Sequence, residues 1–166
     1  MSALLDIVDK DDQPTGRQAT KQEAHEGKLI HRCVAVYAFD EQGKLYVQVH
    51  KKSGGLLDHS VGGHVDAGED YSTAAYREAE EELGIKGTTF SELATKVYSD
   101  EDVYIHMFGI YECHPGKGWL FKPNEEVAEI IPYDLKDIIV LMETAPERFT
   151  GGFINTMREY RRIKGI

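Results

Sequence analysis

At 166 residues the chain has the length of one ordinary domain, and 41% apolar against 29% charged residues lets it bury a core rather than stay disordered. No run approaches the ~20 apolar residues of a membrane span, and the opening MSALLDIVDKDD lacks the basic start and long apolar run of a signal peptide, so a cytoplasmic location is expected. A net charge of −10 argues against a broad electrostatic grip on nucleic acid or an anionic membrane, yet leaves room for phosphorylated small molecules held through divalent cations.

No internal repeat, low-complexity tract or linker breaks the chain, which predicts a single domain over 1–166. Leu4–Val8 is a short apolar run before a polar turn region, Asp9–Gly16. Thr20–Gly27 predicts a short helix, with Thr20 as cap and Glu23 three residues on. His31–Phe39 is rich in β-formers and Leu45–His50 alternates beyond a turn at Asp40–Gly43, so the two predict a hairpin. Lys51–Asp58 reads as a loop and His59–Val61 as a short strand entering a glycine cluster. Apolar residues at 75, 76, 79 and 83 give Tyr71–Leu83 helical spacing, and Gly84 is a natural stop. Thr89–Tyr98 and Val103–Cys113 predict further strands, His114–Trp119 a loop, and Glu126–Ile131 a strand ended by Pro132. Tyr133–Glu143 and Phe149–Ile163 predict helices, so the class is α+β, an α/β/α sandwich. Two cysteines, Cys33 and Cys113, fall in predicted strands and point to buried reduced thiols rather than a disulfide framework.

The segment Gly63–Ile85 reads GHVDAGEDYSTAAYREAEEELGI. At about 100° per residue Glu78, Glu81 and Glu82 project from one side of the helix, with Tyr76, Ala79 and Leu83 on the opposite side and Glu80 turned to solvent. Like charges at i,i+4, close to the negative end of the helix dipole, cost a few tenths of a kcal/mol each, which a solvated acidic face also tolerates. Charge pattern alone therefore favours plain surface, and Arg77 is an i,i+4 partner for Glu81 on that view too. The glycines before the helix change the balance. Gly62, Gly63 and Gly68 let backbone approach a ligand, and a carbonyl there would complete the oxygen shell that Mg²⁺ or Mn²⁺ takes from carboxylates.

The segment resembles the Nudix signature, G-x5-E-x7-R-E-U-x-E-E-x-G-U with U usually aliphatic. Gly63, Glu69, Arg77-Glu78-Ala79, Glu81-Glu82 and Gly84-Ile85 all stand at its spacing, with small Ala79 the one mild departure. The resemblance implies the Nudix fold, with a central mixed sheet between helices and the box at 63–85 forming a loop-helix-loop. It further implies that Glu78, Glu81, Glu82 and the Gly62 carbonyl hold the metal, that Arg77 orients the glutamates, and that Glu69 helps hold the loop.

Outside the box, residues 5–140 resemble the branch that contains isopentenyl diphosphate isomerases and many hydrolases. His25, His31 and His64 match histidines that bind an extra metal in the isomerases. Lone histidines are more often structural, and the sequence leans to that reading here. The isomerases carry a catalytic cysteine just before the glycine that opens the box, where this chain has Gly62, and their glutamate helix is typically degraded where this one is intact. Hydrolysis of a diphosphate linkage, most commonly in a nucleoside diphosphate derivative, is therefore the implied activity, ahead of isomerisation or a non-hydrolytic Nudix-fold binding module. Glu81 is the first choice of base inside the box; Asp100, Glu101, Asp102, Glu125 and Glu126 are outside candidates. Lys51, Lys52 and His64 are candidate substrate contacts, and Tyr98, Tyr104, Phe108 and Trp119 are aromatic residues with the shape to stack on a base. A homodimer, the commonest closed assembly, is the default oligomer.

Overall fold

The β-forming run at His31–Ala38 becomes a strand buried on both faces, and the layers are arranged around it. The computed structural model describes residues 3–166; Met1 and Ser2, which head the segment read for a targeting signal, lie outside the described residues. In chain order the elements are β1 (Leu4–Val8), β2 (Pro14–Thr20), α1 (Lys21–Glu26), β3 (His31–Ala38), β4 (Leu45–His50), β5 (Leu57–Asp58), β6 (Val61–His64), α2 (Tyr71–Leu83), β7 (Phe90–Asp100), β8 (Ile105–Cys113), β9 (Val127–Tyr133), α3 (Leu135–Thr144) and α4 (Gly151–Lys164).

Strand residues alternate between faces, so β3 serves two cores. Val34, Val36 and Ala38 pack with Ala74, Ala75, Ala79 and Leu83 of α2. Tyr37, with Phe39 just beyond the strand, packs instead with Ile138 and Met142 of α3 and Phe153, Met157 and Tyr160 of α4. This is the expected α/β/α sandwich. Alanine at 79 lets α2 approach the sheet closely, which explains a small residue at that box position.

The larger sheet runs β2-β1-β3-β8-β7, with β6 also paired to β3. β3 and β8 are parallel, while β1, β6 and β7 join antiparallel, so the sheet is mixed. Its register sets His31 opposite His106 and Cys33 opposite His64. A second sheet, β5-β4-β9, carries the rest.

Three expectations are corrected. The hairpin of β3 with β4 does not form: the turn closes through Asp40 N to Lys44 O at 2.9 Å, but only Phe39 and Leu45 bridge. Both edges of β3 are taken by β8 and β6, so β4 leaves to pair with β5 and β9. The polar turn ends at Gln13, where Asp9 accepts from the N–H groups of Asp11 and Gln13, and residues from Pro14 form an exposed edge strand without apolar alternation. β9 continues through Pro132, which its position on a sheet edge permits. The capping box of α1 is present as read, with Thr20 and Glu23 bonding reciprocally. No helix of the described residues is long and apolar enough to cross a membrane.

Phe153 is fully buried against the rings of Tyr37, His59 and Phe149. Phe153→Ala is expected to cost about 3–5 kcal/mol in urea unfolding; a loss below ~1 kcal/mol would show that α4 is not part of the cooperative core.

Candidate active site

The glycine strand β6 and helix α2 are fitted to each other. Asp70 caps α2 by accepting from Thr73 N at 2.7 Å, and Gly84 ends it in the left-handed region at φ 63°. A Cβ on Gly63 would lie 2.1 Å from Glu78 Cδ, so only glycine at 63 lets Glu78 rest against the strand. Arg77 ties the parts together. Its guanidinium donates to both oxygens of Glu69 at 3.0 and 2.8 Å, to the His64 carbonyl at 2.9 Å, to Glu78 at 2.8 Å and to Glu81 at 3.4 Å. Glu69 also accepts from Asp66 N at 3.0 Å, and the Arg77 bonds hold its pKa below the usual carboxylate value. Arg77 thus bonds the loop, the strand and the helix glutamates together, and Glu69 joins the loop to the helix.

The three glutamates share a side of the helix but not an environment. Glu81 has a side chain 58% exposed, Glu78 is mostly covered, and Glu82 is 3% exposed. Tyr76, expected on the packing face, is 43% exposed and stacks on Phe90 at the rim; Ala75 takes the inward place. Glu82 accepts from Gln48 Nε2 at 2.9 Å and from Gly62 N at 3.2 Å. None of the salt bridges among the described residues includes it. Burial, reinforced by Glu78 and opposed by those hydrogen bonds, raises its pKa to about 8. Glu78 is raised to about 6, again by burial, with Arg77 opposing.

Several partners of this site escaped sequence reasoning. Gln48 comes from β4, and Asn124 Nδ2 donates to the Glu82 carbonyl at 2.7 Å. His50, also unforeseen, and Glu126, already an outside candidate, each offer a ligand atom that lies, with one from Glu82, within 4.8 Å of the others. Glu126 is thus the outside carboxylate brought to the box. Asp100, Asp102 and Glu125 are exposed surface, whereas Glu101 is bonded to His106 at 2.7 Å. Lys51 gives its ammonium to the Asn124 carbonyl, and Lys52 lines a cleft of about 330 Å³ with His50, Gly62, Gly63, Tyr104 and Phe108. Of the other aromatics, Trp119 packs on Tyr46 and donates to Leu83 O, and Tyr98 lies under Lys10.

The same cleft has a histidine wall. His25, His31 and His64 converge, which their sequence positions did not show, and His106 joins them. Burial pushes the pKa of His25 down to about 4 and of His31 to about 3, and places His64 well below the ordinary value. Burial also opposes charge on His106, but Cys33 and Glu101 outweigh it and hold its pKa up, to about 10. Both cysteines are buried free thiols.

The NUDIX domain profile matches residues 29–150. The chain belongs to the Nudix family. It is 43% identical over 104 residues to an uncharacterized Nudix hydrolase of Streptomyces coelicolor, an alignment that covers 59% of this chain and 56% of the relative. It is 36% identical over 165 residues to isopentenyl-diphosphate Delta-isomerase 2 of Photorhabdus laumondii, covering 92% of this chain and 89% of the relative. Nudix relatives of both kinds thus surround it, as the resemblance implied. Among solved structures it superposes on a Deinococcus radiodurans protein with a TM-score of 0.75 at 24% identity, covering 94% and 98% of the two chains, a likeness of fold.

The raised pKa of Glu82 has a direct consequence for the metal-free protein. Between the unfolded value, 4.5, and the folded value, about 8, the folded chain holds the extra proton. Its stabilising effect is complete below 4.5 and is lost as pH rises through 8. With chelator present, Glu82→Gln is expected to raise Tm at pH 9 by a few degrees, the ~2–4 °C that about 1 kcal/mol moves a domain of this size. At pH 5 it should change Tm little; an equal shift at both pH values would contradict the assignment.

Proposed function

We propose that this Nudix-family chain is a divalent-cation-dependent diphosphatase, cleaving the phosphoanhydride of a nucleoside diphosphate derivative or a similar small molecule. The observation that carries this reading is Glu82, a carboxylate buried between an amide and a glycine N–H, with no salt bridge to a basic side chain among the described residues. Carboxylates gathered in this way are a ligand set for Mg²⁺ or Mn²⁺, and we assign Glu78, Glu81, Glu82 and the Gly62 carbonyl to that role. Bound there, the cation supplies neutralisation of the phosphate oxygens and a water of lowered pKa.

The chain's own groups then have distinct tasks. Arg77 keeps Glu78 and Glu81 turned toward the site through its hydrogen bonds. Glu81, the most exposed of the three, takes the proton of the attacking water, with Glu126 as the carboxylate from outside the box nearest to that task. Lys52 offers positive charge to an anionic substrate in the cleft, Lys51 shapes the loop through Asn124, and His64 and Gly63 border the substrate. Two buried free thiols, Cys33 and Cys113, fit a reducing cytoplasmic setting.

Isomerisation of a prenyl diphosphate requires an acid–base group on each side of the double bond, and Gly62 offers none where the isomerases carry their cysteine. A panel of diphosphate compounds assayed with Mg²⁺, Mn²⁺ and a chelator control tests the proposal. Phosphate or phosphate-ester release should require the cation, and Glu81→Gln and Glu82→Gln should each lower kcat by roughly a hundredfold or more. Full activity in either variant, or conversion of isopentenyl diphosphate without phosphate release, would overturn it.

A further inference from the structure

We infer that His50 is a further hydrogen-bond donor for the reaction, a neutral imidazole that presents its Nε2–H to an oxygen of the substrate diphosphate beside the cation site. The inference rests on the diphosphatase reading and adds to it a residue from outside the box.

The end of β4 fixes the ring. Lys52 N donates to His50 Nδ1 at 3.1 Å, so the His50 side chain caps the 3₁₀ turn Lys51–Ser53. A neutral imidazole has one N–H and one nitrogen lone pair. With the lone pair of Nδ1 taken by a backbone N–H, the hydrogen sits on Nε2. Ser53 Oγ donates to the His50 carbonyl at 2.8 Å and Lys51 N donates to the Glu126 carbonyl at 3.0 Å, so the turn is tied down on both sides.

The strand decides where that hydrogen points. Gln48 and His50 are two apart on β4 and share one side of it. Gln48 bonds Glu82, and one ring nitrogen of His50 lies within 4.8 Å of ligand oxygens of Glu82 and Glu126. The register of β4 against β9 shifts at this point, from Val49–Glu129 to His50–Val127, which sets Glu126 next to the ring. His50 also lines the cleft, together with Lys52, Gly62 and Gly63. Among the described residues no hydrogen bond engages its Nε2.

A histidine beside two carboxylates invites the role of a cation ligand instead. A ligating histidine donates its other ring N–H, whereas His50 Nδ1 accepts. Coordination through Nε2 would move the hydrogen to Nδ1 and break the cap on Lys52. Donation needs no such change. Neutrality also matters, because an imidazolium here would repel a cation at Glu82, while an N–H dipole does not. In the cleavage itself the water oxygen bonds to phosphorus, its proton passes to Glu81, and the bridging oxygen departs with the electron pair of its broken bond to phosphorus. That leaving phosphate takes no proton from His50. The Nε2–H stays on the ring and offsets the growing charge, as fixed donors do at developing oxyanions.

Two substitutions separate the ends of the ring. Asparagine keeps an oxygen near the place of Nδ1, and so the cap, but no donor at Nε2; glutamine restores an N–H near Nε2 and gives up the cap. In the whole chain at saturating Mg²⁺, His50→Asn should lower kcat and weaken binding of imidodiphosphate, each roughly ten- to a hundredfold. Its Tm and its calorimetric Mg²⁺ affinity should match those of the unmodified chain. His50→Gln should recover much of kcat with a lower Tm. Nitrogen-15 spectra of the unmodified chain should show Nε2 protonated with and without Mg²⁺, a result that needs no variant to fold. An active His50→Asn beside an inactive His50→Gln would overturn the inference. So would a Mg²⁺ affinity that falls in His50→Asn, or loss of the Nε2 hydrogen when Mg²⁺ binds, since both mark a ligand. Should the unmodified chain cleave no diphosphate, the diphosphatase reading falls by itself; weaker imidodiphosphate binding in His50→Asn would still support the donor, and equal binding, or none by the unmodified chain, would overturn it.

Discussion

The site depends on one planar cation. Arg77 engages Glu69 through both carboxylate oxygens and reaches the His64 carbonyl, Glu78 and Glu81 with the rest of its donors. A guanidinium has the fixed fork that such an arrangement needs, and a lysine ammonium does not. Through this one side chain the loop after β6, the strand itself and the second half of α2 keep a common register. The glycine at 63 is the steric counterpart of that register, since any side chain there would displace Glu78.

A buried carboxylate that makes no salt bridge among the described residues is the opposite kind of constraint. Glu82 lies where burial disfavours its charge, and two neutral donors, Gln48 and Gly62, only partly offset that cost. Such a position is costly for a chain that needs only a stable fold. It is useful where a cation is to be bound, because the low-dielectric surroundings that penalise the lone carboxylate strengthen its attraction for the ion. Glu78 at about 6 and Glu69 below the ordinary range show how closely Arg77 and burial together grade the acids of one short segment.

What was legible in the chain was what local geometry determines. The box lies within one loop and one helix, so its spacing could be read along the sequence, and the cap at Thr20 and the stop at Gly84 obey equally local rules. Contacts made across the sheets could not be read this way. Gln48, His50 and Asn124 reach the box because β4 joins the second sheet, and β4 does so because both edges of β3 are occupied. Periodicity over residues 31–50 suggested a hairpin, since it carries no information about which edge is already taken. His106 meets His31 through the parallel register of two strands 75 positions apart in the chain, as the pairing His31–His106 shows. Tyr76 misled for a different reason: its apolar character fits the helix pattern, but α2 packs through alanines and leaves the larger ring to stack on Phe90.

The central claim is that Glu82 is kept protonated by burial until a hard cation replaces the proton. Mg²⁺, for which the imidazoles do not compete, should be titrated calorimetrically into the chain at pH 7 in buffers of different ionisation enthalpy. The account expects proton release on binding, seen as a heat that varies with the buffer, and its disappearance in Glu82→Gln. A buffer-independent heat in the unmodified chain, or proton release that persists in Glu82→Gln, would contradict it.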